Sequence, residues 1–398
     1  MSIGIFTLTS ELHDEQAVSK VTQAFLNSLE VDFEMKGIDY GSYGSHDLNL
    51  IYVRTGGTEG IFKKMLPMLQ VQSNRPFYLL TSGKSNSLAA SMEILSFLQQ
   101  KGLKGEIIHG SAEYISHRIQ LLAKVEETHR KLNGCRLGII GQPSDWLISS
   151  TVDSNVVREK LDIELVEIPM EELLEAIENT PETEQREISN NEAIQKALPM
   201  AGRIYNALKG LVKEYHLQGF TLRCFDLLTA VHNTGCLALA RLNSEGIVAG
   251  CEGDVPAMLT MMVSQAALGV TGFQANPASI NPETGEMLFA HCTIPLNMVE
   301  HYEIDTHFES GIGVGIRGYM KMGPVTIFKL SGDLSKCFVA EGELVYNQSK
   351  PDLCRTQQVI QLSDPQQAQY FLTHPIGNHH IIIPGHHREL LELLTIDR

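Results

Sequence analysis

The strongest constraint on this chain is the alternation of short apolar strand runs with amphipathic helical runs through its first two thirds, followed by a change of rhythm. Ile3 to Leu8 is strand-like and Asp14 to Leu29 helical. Asn49 to Val53, Phe77 to Leu80 and Ile107 to His109 are further strand runs, each followed by a helical pattern. A second series starts near Cys135, with strands at Arg136 to Gly141, Ile163 to Ile168, Phe220 to Phe225 and Ile247 to Ala249. Strands that alternate with helices form parallel sheets with right-handed crossovers. After about residue 300, the runs Gly313 to Gly318, Pro324 to Leu330 and Cys337 to Val345 are separated by turns and not by helices, the pattern of an antiparallel barrel-like unit. The expected architecture is α/β: two Rossmann-like doubly wound domains, 1–133 and 134–297, then a C-terminal antiparallel β domain, 298–398. A chain of 398 residues fits two or three such domains. Asn191 to Tyr215 is expected as a long helix interrupted near Pro199, and the acidic stretch Asn179 to Ser189 as an exposed loop.

Charge and cysteine content narrow the function. A net charge of −16 opposes nucleic-acid binding, which needs a basic footprint. It suits an enzyme of small neutral polyols or a metal-using site. Seven cysteines without a CxxC pair argue against a disulfide scaffold and a structural zinc module; Cys135, Cys224, Cys251 and Cys292 sit in apolar runs and are expected as buried small hydrophobes. The N-terminal run Met1 to Phe6 reads as a first strand, not a signal peptide, and no segment is long and apolar enough to span a bilayer, so the expected location is cytoplasmic.

Chemistry is expected around Gly250-Cys251-Glu252-Gly253-Asp254, at the carboxyl end of a buried strand, where α/β sheets expose functional groups. A carboxylate such as Glu252 there can serve as metal ligand, general base, or helix-dipole partner. Asp254, just before Val255-Pro256, is a natural helix N-cap. His291 and the pair His379-His380 add imidazoles, each in an apolar setting where a satisfied core histidine is the ordinary outcome. Imidazole and oxygen donors together suit a divalent ion such as Mn²⁺. The loops Thr55-Gly56-Gly57-Thr58-Glu59-Gly60 and Ser82-Gly83-Lys84-Ser85-Asn86-Ser87 are either ordinary tight βα turns or polar ligand contacts at strand ends. Neither matches GxxxxGK[ST] or GxGxxG, and no GxSxG elbow is present.

Taken together, Thr55-Gly56-Gly57-Thr58-Glu59, Leu222-Arg223-Cys224-Phe225-Asp226, Ala249 to Asp254, Phe273-Gln274-Ala275-Asn276-Pro277, Phe289-Ala290-His291-Cys292-Thr293 and Gly377-Asn378-His379-His380 resemble the L-fucose isomerase / L-arabinose isomerase family, in motif order over nearly the whole chain. The resemblance implies an aldose–ketose isomerase working through an ene-diol at a Mn²⁺ site, assembled as a trimer or hexamer. It implies Glu252 as ligand and base, and Asn276 at the position of a second carboxylate. It places His291 and His380 as further ligands, with His379 the alternative. Thr55, Glu59, Lys84, Trp146, Arg223 and His379 are implied sugar contacts. An amide at Asn276 can ligate a metal but cannot act as a base. Asp226 or Glu309, or a metal-bound water, could then take over the second proton transfer. A non-catalytic carbohydrate-binding protein on the same fold is the alternative reading.

Overall fold

A computed structural model describes residues 1–181, 187 and 189–395. Most of the acidic stretch read as an exposed loop, 182–186 and 188, lies outside the described residues. Contacts divide the chain into two units, one covering residues 1–130 and the other running from Lys131 onward.

In the first unit, strands β1 (Ile3–Leu8), β2 (Glu34–Gly37), β3 (Leu48–Val53), β4 (Phe77–Leu80) and β5 (Gly105–Ile108) form one parallel sheet in the order β2-β1-β3-β4-β5. Helices α1 (Glu15–Leu26), α2 (Glu59–Gln72) and α3 (Ser87–Gln100) supply crossovers, and α4 (Ala112–Leu132) follows β5. Every residue of β1 and β4 is buried. The sheet is therefore covered on both faces, which is why its strands read as continuous apolar runs and not as alternating ones.

The second unit begins with a parallel sheet. Its strands are β6 (Arg136–Ile140), β7 (Glu164–Ile168), β8 (Gly219–Leu222) and β9 (Val248–Cys251), ordered β7-β6-β8-β9. Helices α5 (Ser154–Leu161), α6 (Met170–Asn179), α7 (Glu192–Glu214), α8 (Asp226–Ala230), α9 (Cys236–Ser244) and α10 (Val255–Leu268) connect and cover them. Pro199 lies inside α7 without ending it, contrary to the expected interruption. The nine buried residues of that helix anchor it on both sides of the proline. Cys135, Cys224, Cys251 and Cys292 are free and buried, as expected.

The closed barrel takes six strands: β10 (Phe273–Ile280), β11 (Glu286–His291), β14 (Gly323–Leu330), β15 (Cys337–Gln348), β16 (Thr356–Leu362) and β17 (His380–Pro384). Their order is β10-β11-β16-β15-β14-β17, antiparallel at each pairing. A separate ribbon, β12 (His301–Asp305) with β13 (Gly315–Tyr319), lies between them in the chain, and α11 (Ala368–Thr373) and α12 (Arg388–Thr395) follow β16 and β17. The sequence division at 297/298 counts β10 and β11 with the second α/β layer; their hydrogen bonds put them in the barrel wall. Phe273, Ala275, Phe289, Ile327, Ala340, Ile360 and Ile382 fill the barrel core. Among the described residues, no helix is long and apolar enough to cross a membrane.

Candidate metal centre

The site grows from the turn that ends β9. Glu252 and Gly253 both take left-handed backbone conformations, φ +65° and +70°. A glutamate in that region costs on the order of 1 kcal/mol or more, so surrounding contacts must hold it. They do so from two sides. The Glu252 carbonyl accepts a bond from the Ser144 N–H (3.0 Å) in the loop after β6. The Gln274 side chain of β10 accepts from Cys251 N (2.8 Å) and donates to its carbonyl (3.3 Å). Gly253 has no room for a side chain: a Cβ would stand 2.6 Å from the Gln142 carbonyl oxygen. The next residue, Asp254, caps α10 through a 2.8 Å bond from the Ala257 N–H, as its position before Val255-Pro256 predicts.

The turn aims Glu252 at two imidazoles. Its Oε1 stands 3.5 Å from His291 Nε2 and 3.4 Å from His379 Nε2, while Oε2 accepts a 2.6 Å bond from the Trp146 indole N–H. The two rings lie 5.4 Å apart, inclined at 68°. Each ring is held from behind. His379 Nδ1 donates to Asp254 Oδ2 at 2.8 Å, and His291 Nδ1 lies 3.1 Å from the Thr293 hydroxyl. A carboxylate only accepts, so His379 must carry its proton on Nδ1 in that bond. Its Nε2 is buried and has no hydrogen-bond partner.

Glu252, His291 and His379 each offer a donor atom within 4.8 Å of the other two, and together they could hold a metal ion. Bonds of about 2.1 Å to one cation put neighbouring ligand atoms about 3.0–3.5 Å apart, the spacing of Glu252 Oε1 from both imidazoles. The orphaned Nε2 and the carboxylate–histidine pair behind it are what a ligating imidazole needs.

Electrostatics agree with a cation site. Burial opposes charge on Glu252, but the nearby imidazoles of His291 and His379 outweigh it and hold the carboxyl far below the usual range. Burial likewise opposes charge on Asp254, while the Lys329 ammonium, the His379 bond and the Ala257 N–H bring its carboxyl down to about 2. His379 is pushed up to about 9: the carboxylates of Asp254 and Glu252 overcome its burial. A proton held there occupies the place that a cation would take. His307 is brought down to about 4 by burial and by the positive fields of His291 and Arg355. Glu309 is raised by burial and then by the Glu252 charge, partly offset by His291.

His380 does not join this group. It pairs with Ala275 across the β10–β17 ladder and shares that residue's face, which is the barrel interior. Its Nε2 is 3.1 Å from the Tyr370 hydroxyl, and its ring packs on Phe371 at 4.7 Å. His379 stands just before β17 begins, and its ring lies beside Asp254 and Glu252 instead. Of the two histidines that the resemblance offers, His379, the alternative, stands with Glu252 and His291, and His380 does not.

The other implied residues divide. Trp146, half exposed, touches the site directly through Glu252, and its ring stands edge-on to Phe225 at 4.9 Å. Arg223 is tied to the Pro143 carbonyl (2.7 Å), Asp145 (3.0 Å) and Asp226 (3.1 Å), so it braces the loop that carries Trp146. Asn276 accepts a 3.1 Å bond from Asn378, the residue before His379. Thr55, Glu59 and Lys84 belong to the first unit. There the Thr55 hydroxyl accepts from Ser10 N–H (3.0 Å), Glu59 opens α2, and Lys84 is exposed in a loop whose Ser85 carbonyl accepts from Gly56 N–H (2.7 Å). Sequence reasoning missed Thr293, His307 and Lys329. A buried lysine in an apolar strand run, Ile327-Phe328-Lys329-Leu330, was a readable signal.

Fold and site together define an α/β protein with a C-terminal barrel and a Glu/His/His cluster that could hold a cation. The chain is similar to sulfoquinovose isomerases. That of Clostridium sp. (strain MSTE9) is 25% identical over 228 residues, 54% of this chain and 49% of the relative. That of Alkalicoccus urumqiensis is 18% identical over 230 residues, 54% of this chain and 52% of the relative. The enzyme of Priestia aryabhattai is 19% identical over 231 residues, with the same coverage. The chain spans about half the length of the curated relatives it matches. No family model matches it.

Proposed function

We propose that this chain is a metal-dependent aldose–ketose sugar isomerase of the fucose/arabinose type, working as a homo-oligomer, a trimer or hexamer. The observation that carries the reading is the orphaned, buried Nε2 of His379 converging with His291 Nε2 on one oxygen of Glu252. The isomerase names of the relatives give independent support.

Glu252, His291 and His379 would hold the ion, Mn²⁺ being the first choice for such donors. When bound, the ion supplies Lewis-acid polarisation of the sugar carbonyl and favours charge on its oxygen. The protein handles the protons. Isomerisation removes a proton from the carbon beside the carbonyl and returns one to the former carbonyl carbon; the carbonyl oxygen gains a proton to give the ene-diol, and the neighbouring hydroxyl gives one up as the new carbonyl forms. Glu252 Oε2, turned away from the imidazoles and held by Trp146, is the oxygen assigned to take that proton. Glu309 is the partner carboxylate. Burial and the Glu252 charge raise its proton affinity, whereas Asp226 is tied to Arg223 and Asn276 cannot ionise. Trp146 offers its exposed ring face to the sugar.

The test is a screen of pentoses, hexoses, 6-deoxy sugars and sulfoquinovose for ketose formation with and without added Mn²⁺, alongside measurement of bound metal and of mass in solution. Ketose formation that depends on metal is expected. Sugar binding with neither conversion nor metal would instead favour a non-catalytic carbohydrate-binding protein, the reading Asn276 supports.

A further inference from the structure

Behind the three donor side chains lies a charge that the proposed reaction does not use. Lys329, on β14, is 1% exposed, among the largest fully buried side chains in the protein. Its Nζ makes no hydrogen bond among the described residues and stands 3.9 Å from Asp254 Oδ1. Burying an ammonium costs several kcal/mol unless an anion faces it, and a leucine or methionine would fill the same strand position without that cost.

Asp254 has the converse problem. It is 0% exposed, and its hydrogen-bond donors are the Ala257 N–H and the His379 ring, while the Lys329 ammonium is the lysine charge that faces it. Oδ1 takes the Ala257 N–H and faces Lys329; Oδ2 takes the Nδ1–H of His379. The lysine also lies against the segment that carries His379. A Cβ on Gly377, which holds φ +76° two residues earlier, would come 3.8 Å from Lys329 Cε and 3.9 Å from Nζ, ordinary contact distances. Lys329 thus faces the anion that orients His379 and lies near Gly377, in the segment that carries His379.

We infer that Lys329 is a positioning residue for the metal centre: its fixed charge keeps Asp254 in place as the anionic anchor that turns His379 Nε2 toward Glu252 and His291. The inference rests on reading those three residues as metal ligands. The lysine touches neither ion nor sugar, so its effect is carried by Asp254 and His379 alone.

The experiment compares the wild-type chain with Lys329→Met, close in shape but uncharged, and with Ile327→Val, which trims the barrel core on the same strand away from Asp254. Thermal melts establish that each is folded. Calorimetric titration with Co²⁺ gives affinity, and the visible bands of bound Co²⁺ report ligand geometry. Lys329→Met should weaken Co²⁺ binding by about tenfold or more and move the visible bands, the size of effect seen when partners of ligating histidines are lost. Ile327→Val should keep both at wild-type values. Wild-type affinity with unmoved bands in Lys329→Met overturns the inference, as does an equal loss in Ile327→Val. If the wild-type chain binds no Co²⁺ or Mn²⁺, the metal reading itself fails. Lys329 is then judged in metal-free protein by long-range ¹H–¹⁵N spectra of His379. A shifted tautomer balance in Lys329→Met upholds its orienting role, and an unchanged one refutes it.

Discussion

The two parallel sheets of this protein are built alike and equipped differently. In the N-terminal unit the loops after β3 and β4 carry glycines, hydroxyls, Arg54 and Lys84, and with Ser10 after β1 their polar groups bond one another. Ser10 N–H binds the Thr55 hydroxyl, Gly56 N–H the Ser85 carbonyl, and the Thr58 hydroxyl donates to the Thr55 carbonyl. In the second unit the loop after β9 carries Glu252 and Asp254, whose charges face His291, His379 and Lys329, side chains far away in the sequence. A self-satisfied loop contributes to stability. A loop left with a buried carboxylate facing two imidazoles has polar capacity to spare for an ion. The same βα topology accepts either, because chemistry resides in the loops and not in the sheet.

That contrast can be broken at several points. The largest effect is expected from Glu252→Gln, which keeps the shape and removes the charge that both imidazoles face. Turnover should fall by about a thousandfold or more and Mn²⁺ affinity with it, while the melting temperature stays near wild type. Near-normal activity would show that the second sheet's loop is no more catalytic than the first's. Asp254→Asn retains a capping side chain but leaves Lys329 buried without its anion. A loss of about 3 kcal/mol in stability is expected, read by denaturant unfolding, together with a 10–100-fold loss of metal affinity.

A pH effect follows from His307. Its folded value, about 4, lies below its ordinary 6.5, so the unfolded chain binds more protons between those limits. Stability is then complete above about pH 6.5 and falls as pH drops toward 4, by on the order of 2–3 kcal/mol. His307→Asn should flatten that part of the stability profile, and a profile as steep as wild type would remove His307 from the explanation.

Smaller changes should follow Trp146→Phe. It loses one bond to a charged acceptor and should cost about tenfold in turnover, with the metal still bound. Thr58→Val, in the self-satisfied loop of the first unit, is expected to cost about 1 kcal/mol of stability and leave the Mn²⁺ titration unchanged. A clear loss of metal binding there would mean that the two sheets are not as different as their loops suggest.

Much of this was legible in consecutive residues. The period of apolar runs specified parallel α/β layers and then an antiparallel barrel. The order Asp254-Val255-Pro256 specified a capped helix, and the glycines around Glu252 marked a turn able to display a carboxylate. These are local properties, carried by backbone dihedrals and side-chain spacing within a few residues. The site partners are not. Ile381, Ile382 and Ile383 are buried on both faces of β17, so no polar alternation tells which of His379 and His380 looks inward. The ladder that pairs Ala275 with His380 settles it. Trp146 meets Glu252 across 106 residues, and His379 meets Asp254 across 125. Sequence alone determined which groups could do chemistry at the end of β9. Barrel closure, which fixes strand parity and brings β14 and β17 against α10, decided which of them converge.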